Sequence, residues 1–263
     1  MPPAAKRTRS YDPDKIRTAV LTQFAHVRDG VSKLTPEQQA LPTRLGDWTV
    51  RELAAHLSMA VAVVARNLAL PEPARQEVAL LEWPFATASA AGQVDEDVRA
   101  LVAGATTDEL YEHAAARVEE ALTGVPDDRL IPTRFGAMRL GDFLVTRTVE
   151  LIVHTDDLND AAGTAIPYDR QALAACTRLL ADALAVKAPG GSVEVRVPPY
   201  AVVQCVEGPR HTRGTPPNVV ETDPLTWIRL ATGRTGWAES LDAAKVSASG
   251  ERADLAALLP VLG

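Results

Sequence analysis

Cysteine is scarce in this chain, with only Cys176 and Cys205 among 263 residues. They fall far apart in separate predicted elements, which points to a reducing cytoplasm and to buried fillers rather than a redox pair. Long apolar runs are missing too. None approaches the roughly 18 residues that a membrane span needs. There is no dense basic stripe: 27 Lys and Arg stand against 34 Asp and Glu, for a net charge of −7. That balance favours solubility and argues against a nucleic-acid partner. The first ten residues, MPPAAKRTRS, are basic but lack the apolar stretch of a signal peptide, so residues 1–10 read as a disordered tail.

What is present is the composition of a soluble globular protein, 46% hydrophobic and 23% charged, with length for one large or two ordinary domains. A first helix after Pro13 carries Ile16, Val20, Phe24, Val27, Val31 and Leu34 at helical spacing. Thr35-Pro36-Glu37 opens a short helical turn. The second long helix has a marked start: Thr49 as N-cap, Glu52 three residues on, and Trp48 placed to staple onto Leu53. Its inward stripe is Val50, Leu53, Leu57, Val61, Val64 and Leu68, and Pro71 and Pro73 end it. Leu81 to Gln93 is rich in small residues and reads as a crossover in preference to a lid. A third helical region from Val94 to about Leu122 breaks near Gly104, with Leu110, Ala114, Val118 and Leu122 inward. IPTRFGAMRL suggests a short hairpin, and a fourth long helix follows from about Leu140 to Ala161, closed by Gly163. Four such helices predict a four-helix bundle over residues 11–164.

The pattern changes after Pro167. A helix from Arg170 to Val186 leads to alternating strands at SVEVRV, Tyr200 to Val206 and Asn218 to Thr222. Then come a helix over PLTWIRLATG, a short one near Trp237 to Lys245, a strand VSASG, and a last helix from Arg252 to Leu259. Residues 165–263 read as a small α+β domain with its helices on one sheet face, and Trp227 and Trp237 in its core.

Within the fourth helix, Glu150 and His154 are spaced i, i+4, about 6 Å apart on one face. That face lies on or beside the apolar stripe through Phe143, Leu151 and Leu158, while Asp156 and Asp160 point the opposite way. An E-x-x-x-H pair alone is common and usually marks a surface contact; a pair among apolar neighbours needs a partner in the interior. Of the five histidines, His26 and His113 lie off their helices' stripes, but His56 flanks the inward stripe of another long helix. Two His and one Glu leave a tetrahedral Zn²⁺ one open position, and the same donors accept Fe(II) or manganese. Asp157, close by on the same helix, is placed to orient His154.

WTVRELAAHL, RTVELIVHTDDL and the C-terminal DPLTWIRLATGR…VSASGERADLAALLP together resemble the mycothiol-dependent maleylpyruvate isomerase family. The resemblance runs over nearly the whole chain from about Tyr11. It implies a DinB-like up-and-down four-helix bundle joined to a small α+β domain similar to sterol carrier proteins. It also implies a divalent metal, typically zinc, held by His56, Glu150 and His154, with the thiolate of mycothiol as cosubstrate at the open position. Arg234, and less directly Arg229, are candidates to steer an anionic substrate by bidentate pairing.

Three functions stand open on this reading. One is a metal-dependent enzyme using a low-molecular-weight thiol for isomerisation or S-transfer on a small electrophile. The others are a lipid- or sterol-binding module and a metal-stabilised protein without catalysis. Neither the electrophile nor the oligomeric state is written in the sequence.

Overall fold

The computed structural model describes residues 9–208 and 216–262. The reading of a tail therefore lies outside the described residues for 1–8, whereas Arg9 is tied by its guanidinium to Asp182, 2.8 Å away.

The helices begin where local chemistry satisfies their first N–H groups. Asp12 caps α1 (Pro13–Val31), and Thr35 closes a capping box with Gln38 on the short α2 (Pro36–Gln39). Thr49 and Glu52 do the same for α3 (Val50–Leu68), where the Glu52 carboxylate accepts the Thr49 N–H at 2.9 Å. All six residues of the stripe expected on α3 are buried. Two 3₁₀ turns, Trp83–Phe85 and Thr87–Ala90, then run directly into α4 (Ala91–Gly104), so the crossover is helical through much of its length. Only Val98 of α4 is buried. A third capping box, Thr106 with Glu109, starts α5 (Thr107–Leu122). Its inward stripe passes through Tyr111 rather than Leu110. Tyr111 stacks on Phe24 at 5.2 Å and donates its hydroxyl to the Ala54 carbonyl at 2.8 Å.

The hairpin pairs β1 (Leu130–Thr133) with β2 (Gly136–Arg139) and feeds α6 (Leu140–Ala162). Gly163 ends α6 with φ +64°, a conformation glycine adopts without the Cβ penalty. In the bundle, α6 packs against both α1 and α3, and α3 against α5. So α6, which carries Glu150 and His154, faces the helix that carries His56.

Next, α7 (Arg170–Lys187) packs on α1 and α6 as well as on the sheet that follows. Gln23, fully buried, fastens this junction: its amide donates to Thr155 Oγ1 and the Pro167 carbonyl, and its oxygen accepts the Asp169 N–H at 2.6 Å. Gly30 allows the same close approach, since a Cβ there would lie 2.4 Å from Ile166.

The sheet has the order β4-β3-β5-β6, built from β3 (Val193–Val197), β4 (Ala201–Cys205), β5 (Val219–Thr222) and β6 (Val246–Ser249). β3 and β5 run parallel and the other pairs antiparallel. Val193, Val195 and Val197 alternate inward as their spacing predicts, with Cys205 on the same buried side. Asp223 caps α8 (Pro224–Ala231), and α9 (Trp237–Asp242) follows. Trp227 is buried and Trp237 half-buried against the core. The last helix expected from Arg252 to Leu259 is instead a single 3₁₀ turn, Ala256–Leu258. Ala253, Leu255 and Val261 are buried there, and spacings of two and six between them match no helical face.

Candidate metal centre

His56, Glu150 and His154 come together between α3 and α6. Glu150 Oε2 lies 3.2 Å from His56 Nε2 and 3.6 Å from His154 Nε2, and one ligand atom from each residue falls within 4.8 Å of the others. The two imidazoles meet edge to face, 4.8 Å between centroids and 89° between planes. His56 is 8% exposed, and the Glu150 and His154 side chains 19% and 14%. A carboxylate oxygen and two imidazole nitrogens converging on one point fit a divalent cation: the donor types are right, and the hydrogen bond between His56 and Glu150 uses the same atoms.

Electrostatics separate the two histidines. Burial pushes His56 below its ordinary pKa despite its hydrogen bond to Glu150, and the neighbouring His154 adds to the effect. Burial also disfavours charge on His154, but Asp157 and Glu150 outweigh it and raise that pKa. Glu150 is desolvated as well, yet the two imidazoles hold its carboxyl well below the usual range. His56 Nδ1 is buried without a hydrogen-bond partner, and its ring rests instead against Trp48, 5.3 Å away.

His154 is held more firmly. Its Nδ1 is 2.9 Å from Asp157 Oδ2, the place that the helical spacing gives Asp157 as an orienter. Asp157 is itself gripped from the other half of the molecule. Arg234, just beyond α8, reaches it through Nε at 3.3 Å and its terminal nitrogen at 2.8 Å, and Arg44 approaches to 3.5 Å. Burial alone would raise the Asp157 pKa, but hydrogen bonds from His154 and Arg234 bring it down to about 2.

Arg234 does line the cavity over the cluster, but its guanidinium is already engaged by Asp157 and by the Thr232 carbonyl at 2.7 Å. Arg229 lies elsewhere. It forms a fork with Asp156, at 2.8 and 2.7 Å, on the side of α6 away from Glu150, so it joins the two halves rather than facing a substrate. The expectation that Asp156 points away from the site is met, although the surface it meets is α8 and not solvent. His113 is exposed, and His26 is half-buried away from the cluster.

The cavity measures about 550 Å³, within the range of small-molecule sites. Its walls include Trp48, Phe135 and Phe143 beside the three clustered residues, and it is roofed by the segment from Thr87 to Asp95. The indole of Trp48 donates to Asp95 on α4 at 2.7 Å. Trp48 thus serves the site, a role that its position before a capping box did not reveal. Arg147 is a second residue that sequence reasoning passed over, although it stands three positions before Glu150 on the same helix.

The profile described as "Mycothiol maleylpyruvate isomerase N-terminal domain" matches residues 20–159, and that described as "Bacterial SCP ortholog" matches residues 169–261. No curated protein matches the sequence. Among solved structures, the crystal structure of the mycothiol-dependent maleylpyruvate isomerase aligns with a TM-score of 0.61 at 17% identity, over 91% of this chain and 93% of that one. A histidine-to-alanine mutant of that enzyme aligns over the same shares, with a TM-score of 0.61 at 16% identity. YfiT from Bacillus subtilis, titled a probable metal-dependent hydrolase with an unusual four-helix bundle topology, aligns with a TM-score of 0.34 at 20% identity, over 62% of this chain and 94% of that one. The two profiles and the isomerase structure carry the fold: a DinB-like helical half followed by a sterol-carrier-like α+β half.

Proposed function

Since the chain belongs to the mycothiol maleylpyruvate isomerase N-terminal domain family, we propose that it is a metal-dependent enzyme acting with a low-molecular-weight thiol. The single observation that carries this reading is the convergence of His56, Glu150 and His154 on one point at the floor of the cavity. In our reading they hold a divalent ion, zinc by preference. Held there, such an ion would supply the positive charge that keeps a thiol deprotonated at neutral pH. The thiol is mycothiol, as for the aligned isomerase, and the reaction is isomerisation or S-transfer on a small electrophile in a reducing cytoplasm.

The chain's own residues prepare this site. Asp157 fixes the His154 ring with Nε2 turned towards Glu150, and Arg234 and Arg44 fix Asp157. Low proton affinity at Glu150 and His56 keeps both free to donate electron pairs near neutral pH. Cys176 and Cys205 are buried, and burial pushes the Cys176 thiol up, so the nucleophilic sulfur comes from the cosubstrate. Among the described residues, no helix is long and apolar enough to cross a membrane.

Calorimetric titration of mycothiol into zinc-loaded and zinc-stripped protein tests the proposal. Binding with proton release to the loaded form alone is the expected result. Equal binding to both forms, or to S-methylated mycothiol as well as to the free thiol, overturns it.

A further inference from the structure

The two imidazoles of the cluster are held in different ways. His154 Nδ1 faces the Asp157 carboxylate at 2.9 Å. His56 Nδ1 is buried and has no hydrogen-bond partner among the described residues. A histidine that binds a metal ordinarily gives its second nitrogen to a carboxylate, a carbonyl or a water, and that bond fixes the ring. His56 has ring contacts instead. The Trp48 indole lies 5.3 Å from it with 47° between planes, within the range of an aromatic pair.

Trp48 is itself fixed from the cavity roof. Its Nε1 donates to Asp95 Oδ1 at 2.7 Å, and Arg99 Nε, one turn further along α4, holds both Asp95 oxygens at 3.1 and 3.0 Å. Burial alone does not explain such a bond, because the buried indoles of Trp83 and Trp227 have no partner for theirs. The stretch that carries Asp95 has few other anchors. No residue from Phe85 to Asp97 is buried, and α4 starts at Ala90 without a side-chain cap. Among the described residues, its side chains reach the rest of the bundle through two hydrogen bonds, Trp48 to Asp95 and Arg134 to Asp97.

We propose that Trp48 is a positioning residue for His56 and that Asp95 sets it. Pinned to the roof, the indole holds the imidazole with Nε2 turned to Glu150, 3.2 Å away, as Asp157 does for His154. This rests on the metal reading for what His56 binds. It also couples the roof to the cluster, since Asp95 cannot move away without freeing the indole.

Zinc affinity, measured by competition with a chromogenic chelator on variants shown by circular dichroism to be folded, tests the chain of contacts. Trp48→Leu should weaken zinc about tenfold, the lower end of what losing an orienting partner costs a metal site. Asp95→Ala should weaken it about threefold or more, and it carries the test if Trp48→Leu does not fold. Asp95→Asn keeps an acceptor oxygen for the indole and should return to within about twofold of wild type. Asp97→Ala cuts the other tie of the same helix and should change affinity by no more than about twofold. Affinity within about twofold of wild type in folded Trp48→Leu, or equal losses from Asp95→Ala and Asp97→Ala, overturns the proposal. Nuclear magnetic resonance of zinc-stripped protein gives a readout without metal. The His56 ring-proton signals, displaced by the Trp48 ring current, should shift in Asp95→Ala and stay in place in Asp97→Ala. Wild type that binds no zinc sinks the metal reading, and the resonance arm then decides the positioning claim, which unmoved His56 signals in Asp95→Ala overturn.

Discussion

Replacing Asp157 by asparagine removes one negative charge at the meeting point of His154, Arg234 and Arg44 while keeping the side chain's shape. The wild-type carboxyl is brought from 3.8 to about 2 in the folded protein. A depressed folded pKa contributes stability that is complete above the unfolded pKa and is lost as pH falls through the folded value. A shift of this size corresponds to about 2 kcal/mol at pH 7 and to roughly half of that at pH 3, at 1.36 kcal/mol per unit. The assay is urea unfolding of metal-stripped wild type and Asp157→Asn at both pH values, followed by circular dichroism. The variant should be less stable by about 2 kcal/mol at pH 7, with the gap closing by about half at pH 3. Equal stabilities at pH 7, or a gap that does not narrow in acid, would refute the claim that Asp157 is a charged partner of both His154 and Arg234.

Other outcomes follow from the same geometry. Arg229→Met leaves the nearly buried Asp156 with only the Tyr168 hydroxyl, 2.9 Å away. Because Arg229 is itself well exposed, unfolding by urea should show a loss of only about 1–2 kcal/mol, with zinc affinity unchanged. Leu57→Ala truncates a fully buried side chain of α3 and should cost about 2–5 kcal/mol in the same assay, without altering zinc stoichiometry. Thr49→Ala opens the capping box of α3 and should cost about 0.5–2 kcal/mol in thermal or urea unfolding.

Much of this architecture is written in local sequence. The three Thr-led capping boxes, the stripe from Val50 to Leu68, the break near Gly104 and the stop at Gly163 are short-range signals, and each marks an element in the structure. The candidate cluster was legible for a similar reason: Glu150 and His154 share one helix face, and His56 is placed by the periodicity of another. Residues whose roles depend on contacts far along the chain were not legible. Trp48 meets Asp95, Arg44 meets Asp157, and Asp156 meets Arg229 across 73 positions. Helical spacing says which way Asp156 points but not that α8 covers that face. Arg147 escaped notice because a residue rich in donors on an amphipathic helix ordinarily reaches solvent. Only the packed structure shows that this one does not.

The central claim is that His56, Glu150 and His154 hold one divalent ion, and metal content measures it most directly. Protein purified without chelators, dialysed against trace zinc and analysed by mass spectrometry should carry about one ion per chain, as a three-ligand site requires. Folded His154→Ala and Glu150→Gln should each lose most of it. Metal-free wild type, or variants that retain the ion at wild-type stoichiometry, would contradict the account.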